Sequence, residues 1–347
     1  MVKPVMILIL TEDSDSHADD VERRLRQRGV ELLRFDPKKF PAKLGISIVY
    51  SAAGKMRRIL YLEEAQVDLE KVKSVWYRRP NSPVVGPEIT DNLTAGYVVE
   101  ESKVFLNNLW NTMECLWVPA PPSVLRNAEL KASQLKIAGS LGFDLPPTLI
   151  TNNPQEFLEF YCQHNGNIIS KVLGPALYRS VGHTFNRYTQ VVTKRDVAYW
   201  RTIRFCPVIF QAYVPKRIEL RITVVGREVF AAEIHSQHSN QTRHDWRHYD
   251  QFETPYFPHE LPAELRARCL DLVESLGLCY GAIDMVLTPD DRYVFLEINP
   301  NGQYLWIEQV AGLPISEAIC GLLMSGAGES QSVPPASKVV ANQGLHH

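Results

Sequence analysis

The sequence predicts an α/β protein with a small open sheet at its N-terminus and antiparallel strands towards its C-terminus. Three observations carry this. Strand-like and helix-like patterns alternate over the first 115 or so residues. Breaker clusters then fall at Pro119-Ala-Pro-Pro122 and near Phe205-Cys-Pro207. Beyond the second, strand patterns follow one another, and two late apolar-rich runs flank Pro289-Asp290-Asp291-Arg292, a turn signal. The 347 residues, 45% of them hydrophobic, suffice for two or three domains with buried cores. The expected division is an N-terminal open α/β domain over 1–118, a central α+β domain over 119–205 and a C-terminal antiparallel-sheet domain over 206–325. The remainder, 326–347, is rich in Gly, Ser, Pro and Gln without periodicity and is expected to be a disordered tail.

Each element has its own warrant. Residues 5–10 are a continuous apolar run, the mark of a buried strand, and 17–28 have helical spacing stopped by Gly29. Residues 31–35 read as a strand, 46–51 and 57–62 as a hairpin about Ala52-Ala-Gly-Lys55, and 74–77 as a strand running into Arg78-Arg79-Pro80. A long amphipathic helix is expected over 89–113. The central part reads as helix 128–141 stopped by Gly142, strand 148–151, helix 154–164 and strand 168–172. A polar connection over 174–187 and a strand over 188–193 complete it. Strands over 208–214, 219–225 and 228–235 follow, then a polar stretch over 236–253. Helix 263–276, strands 281–287 and 293–299 and helix 315–324 close the pattern. No internal repeat, G-x-G-x-x-G fingerprint or P-loop is present.

Composition excludes several function classes. Thirty-seven basic against 39 acidic residues leave a net charge of −2, which argues against general affinity for nucleic acid or an anionic membrane. No apolar run approaches the ~18 residues a bilayer span needs. The N-terminal apolar run ends in Thr11-Glu12-Asp13 with no small-residue cleavage site, so it reads as a strand rather than a signal peptide. The six cysteines have neither Cys-x-x-Cys nor zinc spacing and are expected to be reduced core thiols of a cytoplasmic protein.

The most informative segment is the late hairpin. Folded symmetrically about Asp290-Asp291, it sets Asp284 opposite Glu297. Alternation then puts Asp284, Glu297 and Asn299 on one face and Ile283, Met285, Leu287, Val294, Leu296 and Ile298 on the other, a core face. Three oxygen-bearing side chains on one patch suit a hard cation such as Mg²⁺. The competing reading is a solvated outer face, and Pro300-Asn301-Gly302 immediately after favours a shaped loop. Lys171 ends a strand and opens a polar loop containing Gly174, where its charge can meet phosphate. Lys131 sits in the first turns of the helix after the proline boundary. Alone, each reads more often as a surface lysine than as a site residue. The strand containing Gln211, Ala212, Tyr213 and Val214 offers backbone to an adenine edge. Glu219 and Arg221 share a face of the next strand, either as site residues or as a surface ion pair.

In order, Lys131, Lys171, the 211–214 hinge, Glu219-Leu-Arg221, Asp284 and Glu297-Ile-Asn299 resemble the ATP-grasp superfamily over about residues 1–325. Ser74-Val-Trp-Tyr-Arg-Arg-Pro80, Asp245-Trp-Arg247 and the run from Glu297 through Asn301 to Glu308 resemble, within it, the microviridin-type peptide ligases or graspetide synthetases. The resemblance implies a pre-ATP-grasp N-terminal domain and a nucleotide held between the last two domains. It implies ATP phosphates on Lys131 and Lys171, adenine on the backbone of Gln211 to Val214, and the ribose near Glu219. Mg²⁺ would lie on Asp284, Glu297 and Asn299, with Arg221 steadying the γ-phosphate or an acyl phosphate. Arg247 and His235 would face the carboxylate to be activated, and Arg78, Arg79, Asn301 and Arg179 the substrate. The loop after Lys171 is less glycine-rich than many ATP-grasp phosphate lids.

The activity implied by this resemblance is that of an ATP-dependent ligase, one that activates Asp or Glu side chains of a ribosomally made precursor peptide as acyl phosphates. Thr or Ser hydroxyls would then close ω-esters, the favoured outcome, and Lys amines ω-amides, guided by a leader segment. The polar 173–187 connection is a candidate leader contact, and a homodimer is expected by the same resemblance. Two alternatives stand beside it: an ATP-grasp ligase adding an amino acid to a protein or small molecule, and a non-catalytic peptide- or nucleotide-binding module.

Overall fold

The structure, a computed structural model, describes residues 6–174, 177–180, 183–186, 189–236 and 254–326, with 177–180 and 183–186 as backbone. The N-terminal part runs β1 (Met6–Thr11), α1 (Ser16–Gln27), β2 (Glu31–Phe35), β3 (Gly45–Tyr50), β4 (Met56–Tyr61), β5 (Gln66–Asp68), β6 (Val72–Arg79), α2 (Asn92–Asn111) and β7 (Leu116–Val118). Four strands pair in the order β2-β1-β6-β7, all parallel. β1 is buried at all six positions, which its unbroken apolar run anticipates for a strand covered on both faces. Leu8, Leu10 and Val75 pack under α2 through Leu106, Leu109 and Trp110. Ile7, Ile9 and Trp76 face the other way, onto Val21 and Leu25 of α1. Asp15 caps α1, its carboxylate accepting from the His17 and Ala18 amides. β3 and β4 form the expected hairpin, and β5 adds a third strand.

The middle of the chain runs α3 (Pro122–Ala128), α4 (Lys131–Ser140), β8 (Thr148–Thr151), α5 (Pro154–Gln163), β9 (Ile168–Lys171), β10 (Leu177–Ser180), β11 (His183–Asn186), β12 (Gln190–Val191), α6 (Lys194–Ala198) and β13 (Val208–Ala212). Three elements differ from expectation. The helix expected over 128–141 starts later, because Leu130 is extended (φ −72, ψ 105) and Lys131 opens α4, and α3, which was not expected, precedes it. The polar connection contains the β10–β11 hairpin, and the strand expected over 188–193 shrinks to β12. α6 begins with a capping box between Thr193 and Asp196, a signal the sequence carries. A sheet of order β12-β9-β13-β8 packs on α5 through Phe157, Ile168 and Phe210.

The last part runs β14 (Ile218–Val225), β15 (Glu228–Ile234), β16 (Tyr256–Pro258), α7 (Ala263–Ser275), β17 (Tyr280–Leu287), β18 (Tyr293–Asn299), α8 (Leu305–Ala311) and α9 (Ile315–Ser325). Its antiparallel sheet has the order β16-β15-β14-β17-β18. One face buries Leu220, Ile222, Ile283, Met285 and Ile298 against α3, α4 and α7. α9 packs between this sheet and the N-terminal one, bringing Ile319 and Leu323 onto Val225, Tyr280 and Trp76. Among the described residues no helix is long and apolar enough to cross a membrane. All six cysteines are free. Cys269 and Cys320 are buried as expected, and burial pushes the Cys269 thiol up to about 12. Cys162 and Cys206 are exposed, against the expectation of core thiols. The expected tail lies outside the described residues beyond Gly326.

The start of α1 makes stability pH-dependent. His17 is buried edge-on to the Tyr304 ring at 4.7 Å, and desolvation, then the Arg78 charge, hold its pKa down to about 3 against 6.5. An unfolded chain therefore takes up this proton first, and the stability it withholds is lost progressively as pH falls from 6.5 towards about 3. His17→Phe, which keeps a ring on Tyr304, is expected to flatten the pH dependence of the urea midpoint across that window. Equal slopes for both proteins would contradict it.

Candidate active site

The β12-β9-β13-β8 sheet and the five-stranded sheet line a common cleft of about 610 Å³, space open to solvent included. Eight residues singled out from sequence line it: Lys171, Gln211, Ala212, Tyr213, Val214, Glu219, Asp284 and Glu297. Lys171 ends β9, paired with Ile209 of β13, and β14, β17 and β18 supply the acids.

Beside the turn the pairing of β17 and β18 is centred on Asp290 rather than on Asp290-Asp291, with Leu287 opposite Tyr293 and Val286 opposite Val294. The acidic face forms because a bulge then moves the register by one residue. Asp284 lies opposite Glu297, and Ala282 opposite Asn299. The shift falls between these pairs and Met285 opposite Phe295, so Leu296 is an extra residue in β18. This corrects the expected core face. Leu296 lines the cleft, whereas Phe295 is fully buried in the core with Met285, Leu287 and Ile298. Without the bulge, the register beside the turn would set Leu296 opposite Asp284 and turn Glu297 to the core face.

Each acid has a cation. Arg221 stands opposite Asp284 on β14, and its Nη1 donates to both carboxylate oxygens, at 2.8 and 3.0 Å. Asn299 Nδ2 donates to Asp284 Oδ2 at 3.0 Å, which leaves Oδ1 as the acceptor end of the amide. Lys131 Nζ meets Glu297 Oε2 at 2.5 Å. Gln134, one turn along α4, donates to the Ile298 carbonyl at 2.9 Å and accepts from the Ile298 amide at 3.2 Å, clamping α4 to β18 beside Glu297. Lys216 and Ser236 both meet Glu219 Oε1, at 3.0 and 2.7 Å. Among the described residues no cluster of three or more His, Cys, Asp or Glu could hold a metal. Two carboxylates and one amide oxygen fit a Mg²⁺ ion, which usually takes one or two carboxylates and completes its shell with water and phosphate.

The hinge is narrower than expected. β13 is paired on both sides, with β8 and β9, and Gln211 is buried with its amide donating to Thr148 Oγ1 at 2.9 Å. The Ala212 and Tyr213 amides are spent on the Pro147 and Asn167 carbonyls. Among the described residues the Val214 amide donates to no backbone carbonyl, which narrows the expected adenine contact from 211–214 towards its end.

The loop after β18 is held at three successive carbonyls. Arg78 Nη1 donates to Asn301 at 3.1 Å, the Tyr280 hydroxyl to Gly302 at 2.6 Å, and Arg221 Nη2 to Gln303 at 3.0 Å. A Cβ on Gly302 would collide with Ala282 Cβ and Arg221 Nη2. Two expected site residues stand apart from the acidic face. His235 bonds Glu233 at 2.9 Å, and Glu233 lies opposite the core residue Leu220, on the far face of the sheet from Arg221. Arg79 is exposed at the end of β6. Arg179 lies in β10, described as backbone, and Arg247 lies outside the described residues.

The family of the MvdD pre-ATP-grasp domain matches residues 6–124. A RiPP-associated ATP-grasp ligase from Chryseobacterium gregarium, solved with ADP and a leader and core peptide, is similar at 33% identity and a TM-score of 0.85, over 92% of this chain and 97% of that one. The chain belongs to the graspetide-type ATP-grasp ligases. Two macrocyclases from Microcystis aeruginosa MRC are also similar, each over 92% of this ligase and 99% of their own chains. MdnC, bound with precursor peptide MdnA, has 29% identity and a TM-score of 0.81, and MdnB has 32% and 0.77. No curated protein matches.

Sequence reasoning missed Lys216, Gln134, Val286 and Leu296 in this ligase. Lys216 had a findable signal: an acid on a strand buried at all eight positions, as Glu219 is on β14, demands a nearby cation. Gly302→Ala is expected to destabilise the fold by about 1–3 kcal/mol in urea unfolding, the usual cost of forcing atoms into packed space. Gly321→Ala in α9, where an added Cβ meets nothing within 4 Å, is expected to be neutral or stabilising.

Proposed function

We propose that this ligase spends ATP to activate Asp or Glu side chains of a ribosomally made precursor peptide and closes them into macrocycles. The observation that carries the reading is one face bearing Asp284, Glu297 and Asn299, with Arg221 and Lys131 on the two acids, across a single cleft from Lys171 and the 213–214 backbone. The peptide-bound relatives favour a peptide as the acceptor.

Lys131 and Lys171 would hold the phosphates as point charges, the backbone at Tyr213 and Val214 the adenine edge, and Glu219, fixed by Lys216 and Ser236, the ribose. Asp284, Glu297 and Asn299 would hold Mg²⁺, which when bound offsets charge on the phosphate oxygens. Arg221 is fixed at both ends, on Asp284 and on the Gln303 carbonyl, so its charge is in place before any anion arrives. A carboxylate is a poor electrophile, and transfer of the γ-phosphoryl group makes it an acyl phosphate with phosphate as leaving group. A Thr or Ser hydroxyl, or a Lys amine, of the same peptide then attacks. Holding the two ends of one chain together supplies much of the acceleration.

The test is incubation with Mg²⁺, ATP and the peptides encoded beside its gene, read by mass spectrometry. The expected outcome is loss of one water per ring with stoichiometric ADP and phosphate. Mild base would open esters and spare amides. Asp284→Asn and Glu297→Gln are each expected to lower turnover by at least a hundredfold, since each removes a charge from the proposed metal face. Product heavier by one amino acid residue would establish the amino-acid ligase instead, and tight peptide or nucleotide binding without turnover the non-catalytic module.

A further inference from the structure

Among the described residues, Arg78 is the sequence-predicted substrate residue that the structure buries almost completely, at 3% exposure. It leaves β6 of the N-terminal sheet, and its Nε lies 3.6 Å from Asp15 Oδ2. Asp15 is itself fixed, accepting from the Thr11 hydroxyl at 2.8 Å and from the His17 amide at 3.0 Å. Nε and Nη2 of Arg78 find no hydrogen-bond acceptor among the described residues. The one directional bond of this guanidinium is therefore Nη1 to the Asn301 carbonyl. A buried guanidinium is costly to keep, so the group on which it spends that bond is informative.

Asn301 lies two residues beyond Asn299, in a turn closed by the Gly302 amide on the Asn299 carbonyl at 3.1 Å. Two residues further, the Gln303 carbonyl takes Nη2 of Arg221, whose Nη1 holds Asp284. Fixed contacts thus run from Asp15 through Arg78 and the Asn301 carbonyl to both Asn299 and Arg221. Resting on the proposed Mg²⁺-nucleotide site, we propose that Arg78 is a positioning residue: the N-terminal domain uses it to set the 299–303 loop, and through that loop the seating of Asn299 and Arg221 against Asp284. It does not present its charge to the peptide, because its guanidinium is enclosed by the groups it holds.

The experiment measures ADP binding by calorimetry, with Mg²⁺ and without, for the wild-type chain, Arg78→Lys and Asp15→Asn. Lysine keeps a cation beside Asp15 but lacks the planar fork that reaches Asp15 and the Asn301 carbonyl together. Asparagine keeps the cap of α1 while releasing Arg78. Partners that orient metal ligands are typically worth about 10–100-fold in metal affinity. Arg78→Lys is expected to weaken ADP binding at least tenfold in Mg²⁺ and less than about twofold without it. Asp15→Asn is expected to shift it in the same direction by less. Equal weakening with and without Mg²⁺ would overturn the proposal in favour of a merely structural role. Unchanged Mg²⁺-dependent binding with a raised KM for peptide would overturn it in favour of direct substrate contact. A wild-type chain that binds no ADP in Mg²⁺ would overturn the underlying reading and the proposal with it, and is told apart because the wild type itself fails.

Discussion

The candidate site hangs on a buried charge pair between adjacent strands. Arg221 and Asp284 are register partners of β14 and β17, with side chains only 4% and 13% exposed. Neither charge is tolerable there alone, and breaking such a pair by removing one partner typically costs about 3–5 kcal/mol. The pair is also directional. One Arg221 nitrogen is committed to the carboxylate and another to the Gln303 carbonyl, so the strand that carries the acid and the loop that follows the next strand cannot move independently. Gly302 is glycine because that loop passes against Ala282 and the same guanidinium.

The arrangement repeats along the cleft. Arg221–Asp284, Lys131–Glu297 and Lys216–Glu219 pair three acids from the five-stranded sheet with three bases, one from that sheet and two from segments that precede it in the chain. Each acid of this partly desolvated cleft thus has a counter-charge beside it. The pairing also gives each base a defined position. Lys131 is held because it opens α4, and α4 is held because Gln134 fills both backbone groups of Ile298.

The legible part of this site was the part governed by short-range geometry. Pro289-Asp290-Asp291-Arg292 marks the turn, and alternation puts Asp284 and Glu297 on one face, but the pairing beside the turn is centred on Asp290 and the extra residue Leu296 is what brings Asp284 opposite Glu297. The bulge at Leu296 was not legible, because an inserted residue between apolar neighbours leaves the hydrophobic pattern almost unchanged while exchanging which of Phe295 and Leu296 is core. The break between α3 and α4 was hidden for a similar reason. Glu129 and Leu130 are good helix formers, so propensity gives no sign that Leu130, itself exposed, is extended there. His235 was given a site role only by the resemblance, and its contact with Glu233 sets it on the other face of the sheet. Long-range partners such as Arg78 and Asn301, 223 residues apart, have no local signature at all.

That long-range contact makes sense of why the N-terminal sheet is joined so firmly to the rest. Its central strands, β1 and β6, share a core with α8 and α9, and the Ser74 hydroxyl donates to the Leu323 carbonyl at 2.6 Å. β7 leads directly into a second tie, where the Cys279 amide donates to the Pro119 carbonyl at 2.8 Å at the entrance to β17. These contacts fix β6 relative to β17, and Arg78 lies on β6 while Tyr280 and Asp284 lie on β17. A loop whose carbonyls are held from β6, β17 and β14 at once has little freedom to re-aim Asn299. Precision at the acidic face is therefore a property of the packing between two sheets as much as of the hairpin that carries the acids. It follows that substitutions at this sheet-to-sheet junction, far from any proposed ligand contact, belong to the site's supporting structure.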